Sequence, residues 1–289
     1  MLRQILLFIT LLSLSLATAC DPEPTATADT SLCGESDASA GDPLAETDTG
    51  PASADLTGRW AMAQVLTATV SIAGAQASEN RVETLLVVDM DSAGPAFAMT
   101  EEVCSIALKN IAGVCGEGSL VTTQIPDAYI QSIAPLERSG TVSDSDGTLT
   151  LAVPRIYQLK GVILEEPSST PLPADPAHPA YWDQDGDGKP GMTLRFVQPG
   201  MLIGELYVGQ RDWTELDGTI VGGGRVEGHI NWGSEQVTLG SNPETLLESS
   251  PKSAPSTDPE KSYFIMVRID DSADCASVTA DMTNLFPGL

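Results

Sequence analysis

The chain has 289 residues, and its 40 acidic side chains outnumber its 14 lysines and arginines, so the formal net charge at pH 7 is −26. A charge of this sign repels the phosphates of nucleic acids and of anionic lipid headgroups, whereas it attracts divalent cations. We therefore expect no nucleic-acid partner and no direct contact with an anionic membrane surface.

The first 19 residues have the three regions of a secretory signal peptide. Arg3 supplies a positive charge, an apolar run extends from Ile5 to Leu16, and small residues occupy positions 17–19. The apolar run is shorter than the roughly 20 residues that a transmembrane helix needs. We therefore predict that residues 1–19 direct export and are then removed.

The segment Leu16-Ala17-Thr18-Ala19-Cys20 resembles the bacterial lipobox, in which small residues precede a cysteine that is acylated before cleavage. The family usually carries leucine where this chain has Ala17. The resemblance implies a lipoprotein that is held on a membrane by acyl chains on Cys20. Lipidation would also leave four of the five cysteines, an even number that suits an oxidising compartment. The alternative is ordinary secretion, with Cys20 free to form a disulfide.

Residues 20–55 comprise this cysteine and an acidic linker. Positions 21–55 contain nine acidic residues but no basic and no aromatic residue. Such a segment buries too little apolar surface to offset its ordering entropy, so we predict a disordered tether. Repulsion between the like charges would extend it and hold the folded part away from the membrane.

Residues 56–289 are long enough for one sizeable domain, and their patterning indicates β-structure. From Arg225 to Trp232, and again from Tyr263 to Asp270, apolar and polar residues alternate with the period of two that marks a half-buried strand. Residues typical of turns separate such runs, at Asp146-Gly147, Gln198-Pro199-Gly200 and Gly222-Gly223-Gly224. We predict an all-β domain of about ten strands, arranged as a single antiparallel β-barrel or sandwich.

Three segments interrupt the strand pattern. Asp127 to Ala134 is predicted to form a short helix that ends before Pro135. Glu165 to Pro179 carries five prolines, and Ser241 to Lys261 is rich in serine, proline and glutamate. We predict that both are long irregular surface loops and that the second is flexible.

Gly58-Arg59-Trp60 opens the first predicted strand and resembles the Gly-x-Trp motif of lipocalin-like barrels. In that family the tryptophan packs beneath an arginine of the last strand, and Arg268 lies late enough to make this cation–π contact. Other lipocalin motifs are missing. The resemblance implies a barrel with room for an apolar ligand, and the alternative is a strand-end tryptophan in any β-domain.

Residues 183–191 have the sequence Asp-Gln-Asp-Gly-Asp-Gly-Lys-Pro-Gly. Asp183, Asp185 and Asp187 stand at positions 1, 3 and 5 of a tight loop, so their carboxylates can converge on one hard cation. Gly188 stands where a calcium loop turns sharply, and the backbone carbonyl of Lys189 stands where such a loop supplies a ligand. The motif resembles the calcium loops of thrombospondin type 3 and dockerin repeats, which implies a structural Ca²⁺ site.

The motif departs from an EF-hand in two ways. Leu194 replaces the bidentate glutamate at position 12, and residues 192–197 have the pattern of a strand where a helix would follow. A distant carboxylate would have to complete the site, and Glu166, Asp175 and Glu205 are candidates. Otherwise the site is weak and partly hydrated, or the motif is only a polar turn.

Two features bear on which membrane holds the protein. Asp21 resembles the inner-membrane retention signal of enteric bacteria, which would leave the protein facing the periplasm. A calcium loop of this kind suits millimolar external calcium. We therefore expect the outer membrane or the cell surface, with the inner membrane as the alternative.

The disulfide candidates are Cys33, Cys104, Cys115 and Cys275, which allow three connectivities. One arrangement joins Cys104 to Cys115 around a short loop, worth about 3 kcal/mol in the chain-entropy model, and joins Cys33 to Cys275. The sequence does not choose among the three. A zinc site is the other use of four cysteines, but no Cys-x-x-Cys pair is present.

No catalytic residue is predicted. The two histidines, His178 and His229, lie in the proline-rich loop and on the polar face of a strand, and no hydrolase or phosphate-loop motif accompanies them. We expect a non-enzymatic envelope protein with a structural or protein-binding role. The alternative is a lipocalin-like carrier of an apolar ligand, followed by a hydrolase that uses paired carboxylates.

Overall fold

A computed structural model describes residues 55–71, 78–111, 122–198, 201–222, 224–249 and 252–289. The predicted signal peptide, Cys20, nearly all of the predicted tether, Cys33 and Cys115 lie outside the described residues. The strands are β1 (Gly58–Ser71), β2 (Ser78–Ala93), β3 (Ala96–Ile111), β4 (Thr122–Gln124), β5 (Leu136–Ser145), β6 (Thr148–Lys160), β7 (Met192–Gln198), β8 (Met201–Ile220), β9 (Arg225–Asn242), β10 (Lys252–Pro255) and β11 (Tyr263–Arg268). The helices are α1 (Asp127–Ser132), α2 (Cys275–Ala280) and α3 (Met282–Leu285), with 3₁₀ segments at Glu244–Ser249 and Pro259–Lys261.

Eight of the strands pair in a ring, and all of the strand pairings are antiparallel. The order around the ring is β1, β2, β3, β5, β6, β8, β9 and β11, and β11 pairs again with β1. The order follows the chain, as in an up-and-down meander. The prediction of an all-β antiparallel domain of the barrel or sandwich type is therefore confirmed.

The long strand β8 has different neighbours along one of its edges. β9 pairs with it from Glu205 to Ile220, while on the other edge β6 pairs with Gln210–Thr219 and β7 with Met201–Val208. β4 pairs with β7, and β10 pairs with the end of β1 beyond β11. We call the end of the ring that contains Trp60 the lower end.

Alternation along β1 separates the interior of the ring from its outer face. Trp60 and Met62 point inward, whereas Ala61 and Ala63 point outward. The lower interior is an apolar core in which each large buried side chain contributes about 1.5–3 kcal/mol relative to exposure. The core consists of Leu56, Trp60, Met62, Leu86, Val88, Met90, Phe97, Met99, Leu151, Val153, Leu216, Val226, Ile230, Phe264 and Met266.

The segment before β1 closes the lower end. The indole Nε1 of Trp60 donates a hydrogen bond to the carbonyl of Leu56 at 2.9 Å. The guanidinium of Arg268 lies 4.5 Å from the centroid of the Trp60 ring and donates hydrogen bonds to the carbonyls of Asp55 and Thr57. The predicted contact between Arg268 and Trp60 is therefore present.

The C-terminal helices cover part of the outer face. Val278 of α2 and the following Phe286 are buried against the outward-facing side chains of β1 and β2. Asp274 caps α2 through a reciprocal hydrogen-bonded pair with Ser277. None of the helices in the described ranges is long and apolar enough to span a bilayer.

A disulfide joins Cys104 of β3 to Cys275 at the start of α2, 171 residues further along the chain. The arrangement that joined Cys104 to Cys115 and Cys33 to Cys275 is therefore wrong. Cys104 is the extra residue where the β2–β3 register shifts, between Val103 and Ser105, and it packs on the outer face against the C-terminal helices. The pairing therefore follows from tertiary packing rather than from proximity in sequence.

The predictions for the turns and interruptions have mixed outcomes. Asp146 and Gly147 have positive φ angles of 54° and 81° and connect β5 to β6, as predicted. The predicted helix is present as α1, and residues 165–179 contain no helix or strand. The flexible loop predicted from Ser241 to Lys261 is only partly irregular, because β10 forms within it where the edge of β1 is free of β11. Pro199, Gly200 and Gly223 lie outside the described residues.

We expect Arg268→Lys to lower the free energy of unfolding by about 1–2 kcal/mol. Lysine cannot stack on Trp60 and span two carbonyl oxygens at the same time. Arg225→Lys, at an exposed ion pair with Glu227, is the matched control and should cost about 0.5 kcal/mol or less. Urea unfolding measures both, and equal losses would contradict the role of Arg268.

Removal of the disulfide in Cys104→Ser/Cys275→Ser is expected to cost about 2–4 kcal/mol, because the unfolded chain regains the freedom of a long loop. Cys115→Ser is the control and should unfold at the wild-type urea concentration. A comparable loss in the control would show that Cys115 takes part in the pairing.

Candidate metal centre

The Asp-Gly motif lies where the chain leaves the ring after β6 and before it returns as β7. Within this connection Val162 forms an antiparallel bridge to Tyr181, and Asp183 forms a parallel bridge to Gly191. The N–H of Gly191 donates to the carbonyl of Trp182 at 2.8 Å, and that of Gln184 donates to the carbonyl of Gly191 at 3.1 Å. These bonds bring the two ends of the acidic loop together.

Two glycines let the loop lie close to the barrel wall. A Cβ atom at Gly161 would lie 2.4 Å from the Cα of Gly191, and one at Gly191 would lie 2.3 Å from the carbonyl oxygen of Val208. Both glycines have positive φ angles, of 64° and 88°. A side chain at Gly161 would therefore push the end of β6 away from the loop, and one at Gly191 would push the loop off β8.

Beneath the loop, an apolar cluster fixes the connection to the outer face of the barrel. Val162, Leu164 and Tyr181 are buried and pack with Val237 and Leu239 of β9. The Tyr181 hydroxyl donates to the carbonyl of Pro173 at 2.5 Å. The proline-rich segment is thereby tied to the acidic loop.

The three aspartates of the motif come together. Asp183, Asp185 and Asp187 each offer one carboxylate oxygen, and these oxygens lie within 4.8 Å of one another. In the described part of the chain no other acidic, histidine or cysteine side chain joins the group. Three carboxylates in this arrangement can bind a hard divalent cation.

Hydrogen bonds from the loop orient the carboxylates. Asp183 accepts from the N–H groups of Asp187 and Gly188, at 3.1 and 2.8 Å. Asp185 accepts from the N–H of Thr193 at 2.9 Å, and Asp187 accepts from the Thr193 hydroxyl at 2.7 Å. Thr193 is nearly fully buried in β7 and was not among the predicted site residues. Its place two residues after Gly191, at the start of a predicted strand, was the only signal for it.

Asp185 is in an unfavourable electrostatic position for an ionised carboxylate. Burial raises the pKa of its carboxyl above the ordinary value, the N–H of Thr193 lowers it, and the neighbouring Asp187 and Asp183 raise it again. The Oδ1 atom of Asp185 is buried and accepts no hydrogen bond in the described structure. A cation at this point would supply the missing partner and reduce the repulsion between the three carboxylates.

The more distant carboxylates do not complete the site. Glu205 pairs with Arg195 at 3.2 Å and accepts a hydrogen bond from Tyr207, and Asp175 accepts from the N–H of Ala177. Neither they nor Glu166 belong to the converging group. Leu194 lies in β7, as the strand pattern predicted. Backbone carbonyls and water would have to supply the remaining ligands.

Lys189, at the C-terminal end of the acidic run, contacts the barrel through its side chain. Its ammonium lies 5.6 Å from the centroid of the Tyr207 ring on β8, a cation–π contact. The role of its backbone carbonyl as a ligand stays a prediction.

Within the described ranges, fold and site together define an antiparallel ring of strands that carries one converging group of aspartates on the connection between β6 and β7. Comparison of the chain with protein-family models, with curated proteins and with solved structures finds no significant match.

Proposed function

We propose that this chain is an exported, lipid-anchored protein of the cell envelope whose β-domain is stabilised by Ca²⁺ at Asp183, Asp185 and Asp187. Its role is structural or protein-binding. The observation that carries the proposal is the convergence of three carboxylates, one of which, Asp185, has a buried oxygen with no hydrogen-bond donor among the described residues. The cell surface or outer membrane, where calcium is abundant, is the compartment that such a site suits.

Calcium fits this group better than other common ions. It accepts oxygen ligands in flexible geometry and tolerates water in its coordination shell, whereas Mg²⁺ demands a near-ideal octahedron. Zinc prefers histidine and cysteine, and neither residue type contributes to the group among the described residues. The divalent charge would offset most of the loop's three negative charges.

The position of the loop explains how calcium would stabilise the fold. Thr193 links two of the aspartates to β7, while the N–H of Gly161, next to the end of β6, donates to the side chain of Gln184 within the loop at 2.6 Å. A bound ion would therefore hold the end of β6 to the start of β7. At ten times the dissociation constant it would add about 1.4 kcal/mol to the free energy of unfolding.

Calcium is therefore expected to raise the melting temperature of the wild-type protein by a few degrees over the value in chelator. Asp185→Asn should abolish most of this shift, because it removes one negative charge and replaces one carboxylate oxygen with an amide nitrogen that cannot bind the cation. Asp175→Asn, in the same connection but outside the group, should retain the shift. Differential scanning fluorimetry of the full-length protein measures all three. A wild-type melting temperature that is indifferent to calcium would refute the site.

Anchoring through Cys20 rests on the lipobox resemblance and on the acidic segment that follows it. A diacylated cysteine anchors firmly, because each buried methylene contributes about 0.8 kcal/mol. The acidic linker would keep the barrel, which itself carries 31 acidic and 13 basic residues from position 56 onward, away from anionic headgroups.

Lipidation predicts that cells grown with an alkyne analogue of palmitate incorporate the label into the wild-type protein and that the protein sediments with membranes. Cys20→Ser should lose both the label and the sedimentation. Cys33→Ser, thirteen positions further along, is the control and should keep both. Secretion of an unlabelled wild-type protein would favour ordinary cleavage after Ala19.

The carrier of an apolar ligand is the second candidate, and the ring of strands with Arg268 stacked on Trp60 is the observation that favours it. Against it stands the packing of the lower interior, where fifteen buried side chains occupy the space that an apolar ligand would need. A structural or protein-binding role requires no such space, and we therefore place it first.

A further inference from the structure

A layer of polar side chains crosses the interior of the barrel above the apolar core. Lys160 of β6 lies opposite Gln210 of β8, and Asp212 of β8 lies opposite Ser234 of β9. Along β8, positions 210, 212, 214 and 216 share one strand face, and Leu216 belongs to the interior core. The side chains of this layer therefore point into the barrel.

Hydrogen bonds connect the layer from strand to strand. The ammonium of Lys160 lies 2.5 Å from a carboxylate oxygen of Asp212. The amide of Gln210 donates to the other Asp212 oxygen at 2.8 Å and lies 2.9 Å from the Ser234 hydroxyl. Burial lowers the pKa of the Lys160 ammonium, but Asp212 and Tyr129 together raise it above its ordinary value, so Lys160 stays protonated at neutral pH.

A second ion pair lies beneath this layer. Arg138 of β5 contacts Glu101 of β3 at 3.3 Å and donates to the carbonyl of Thr214, and the two side chains are 1% and 3% exposed. The Nε of Arg138 is buried and has no hydrogen-bond partner in the described structure. Each cation is matched by one anion, so the two pairs together carry no net charge.

Solvent reaches the upper pair but not the lower one. The side chain of Lys160 keeps 25% of its accessible surface and that of Asp212 keeps 15%, although both point inward. Trp232 of β9 lies opposite Thr214, on the same inward face as Ser234, and is only partly buried. The accessible part of this layer is therefore polar, and Trp232 lies two residues before Ser234 on the same face of β9.

We propose that the accessible part of this polar layer binds a small neutral polyhydroxylated molecule, of the size and chemistry of a sugar. Hydroxyl groups can both donate and accept, so they can replace water at Lys160, Asp212, Gln210 and Ser234, while the ring of Trp232 offers an apolar face. An apolar ligand would leave the ion pair without water or a substitute, which is costly. An anion would be repelled by the protein's net charge of −26, and the neutral site would not offset this repulsion.

The test uses the purified full-length protein and saturation-transfer difference NMR with D-glucose and with N-acetylglucosamine. Sodium octanoate serves as the apolar anionic comparison. At least one sugar should receive saturation from the wild-type protein, and octanoate should not. Gln210→Ala should weaken the sugar's binding at least tenfold, since it removes an amide but leaves both charges of the Lys160–Asp212 pair in place.

Matched variants separate binding from folding. Glu215→Gln, on the outward face of β8, should bind like the wild type. Asp212→Asn should also abolish binding, and circular dichroism reports whether each variant keeps its strands. The proposal fails if neither sugar binds, if octanoate binds in their place, or if folded Gln210→Ala binds as tightly as the wild type. Because the site does not involve Asp185, sugar binding and the calcium shift can fail independently.

Discussion

The rest of the structure depends on the way β8 shares its edge between two partners. Its residues from Glu205 to Ile220 pair with β9 on one side, while β6 and then β7 occupy the other side in succession. Since one strand ends where the next begins, the chain must leave the wall after Lys160 and re-enter it at Met192. The proline-rich segment and the acidic loop are the path between these two points. The candidate metal centre therefore lies at the junction where the partner of β8 along this edge changes from β6 to β7.

The junction also brings three electrostatic features together. Tyr129 of α1 is buried beside it, and burial raises the pKa of its hydroxyl to about 12, with Lys160 lowering it and Asp212 and Asp185 raising it. A charge of the acidic loop and both charges of the polar layer therefore act on the same buried hydroxyl of α1.

The sequence predicted the features that depend on local pattern and, through the Gly-x-Trp resemblance, the distant contact between Trp60 and Arg268, but it failed on other contacts between distant segments. Alternation placed β9 and β11, and the spacing of Asp183, Asp185 and Asp187 placed them on one loop. The pairing of Cys104 with Cys275 could not be predicted, because it depends on where the C-terminal helices pack. The polar layer was missed for a different reason. Period-two patterns assume an apolar interior, so Gln210 and Asp212, which follow Val208 on the same face, have the appearance of a solvent-facing run although they point inward.

The distribution of charge explains why a cation would have to come from solution. From position 56 onward the chain has 13 basic residues, and ten of them form ion pairs with its own carboxylates. Lys189 and Arg268 lie over the rings of Tyr207 and Trp60. Most of these surface pairs contribute little to stability individually, at about 0–1 kcal/mol. Together, however, they commit nearly every positive charge of the domain, and none of them involves Asp183, Asp185 or Asp187. Among the described residues, the aspartates of the loop therefore have backbone N–H groups and the Thr193 hydroxyl as donors but no cationic side chain as a partner, and a divalent ion would supply the counter-charge that these residues do not.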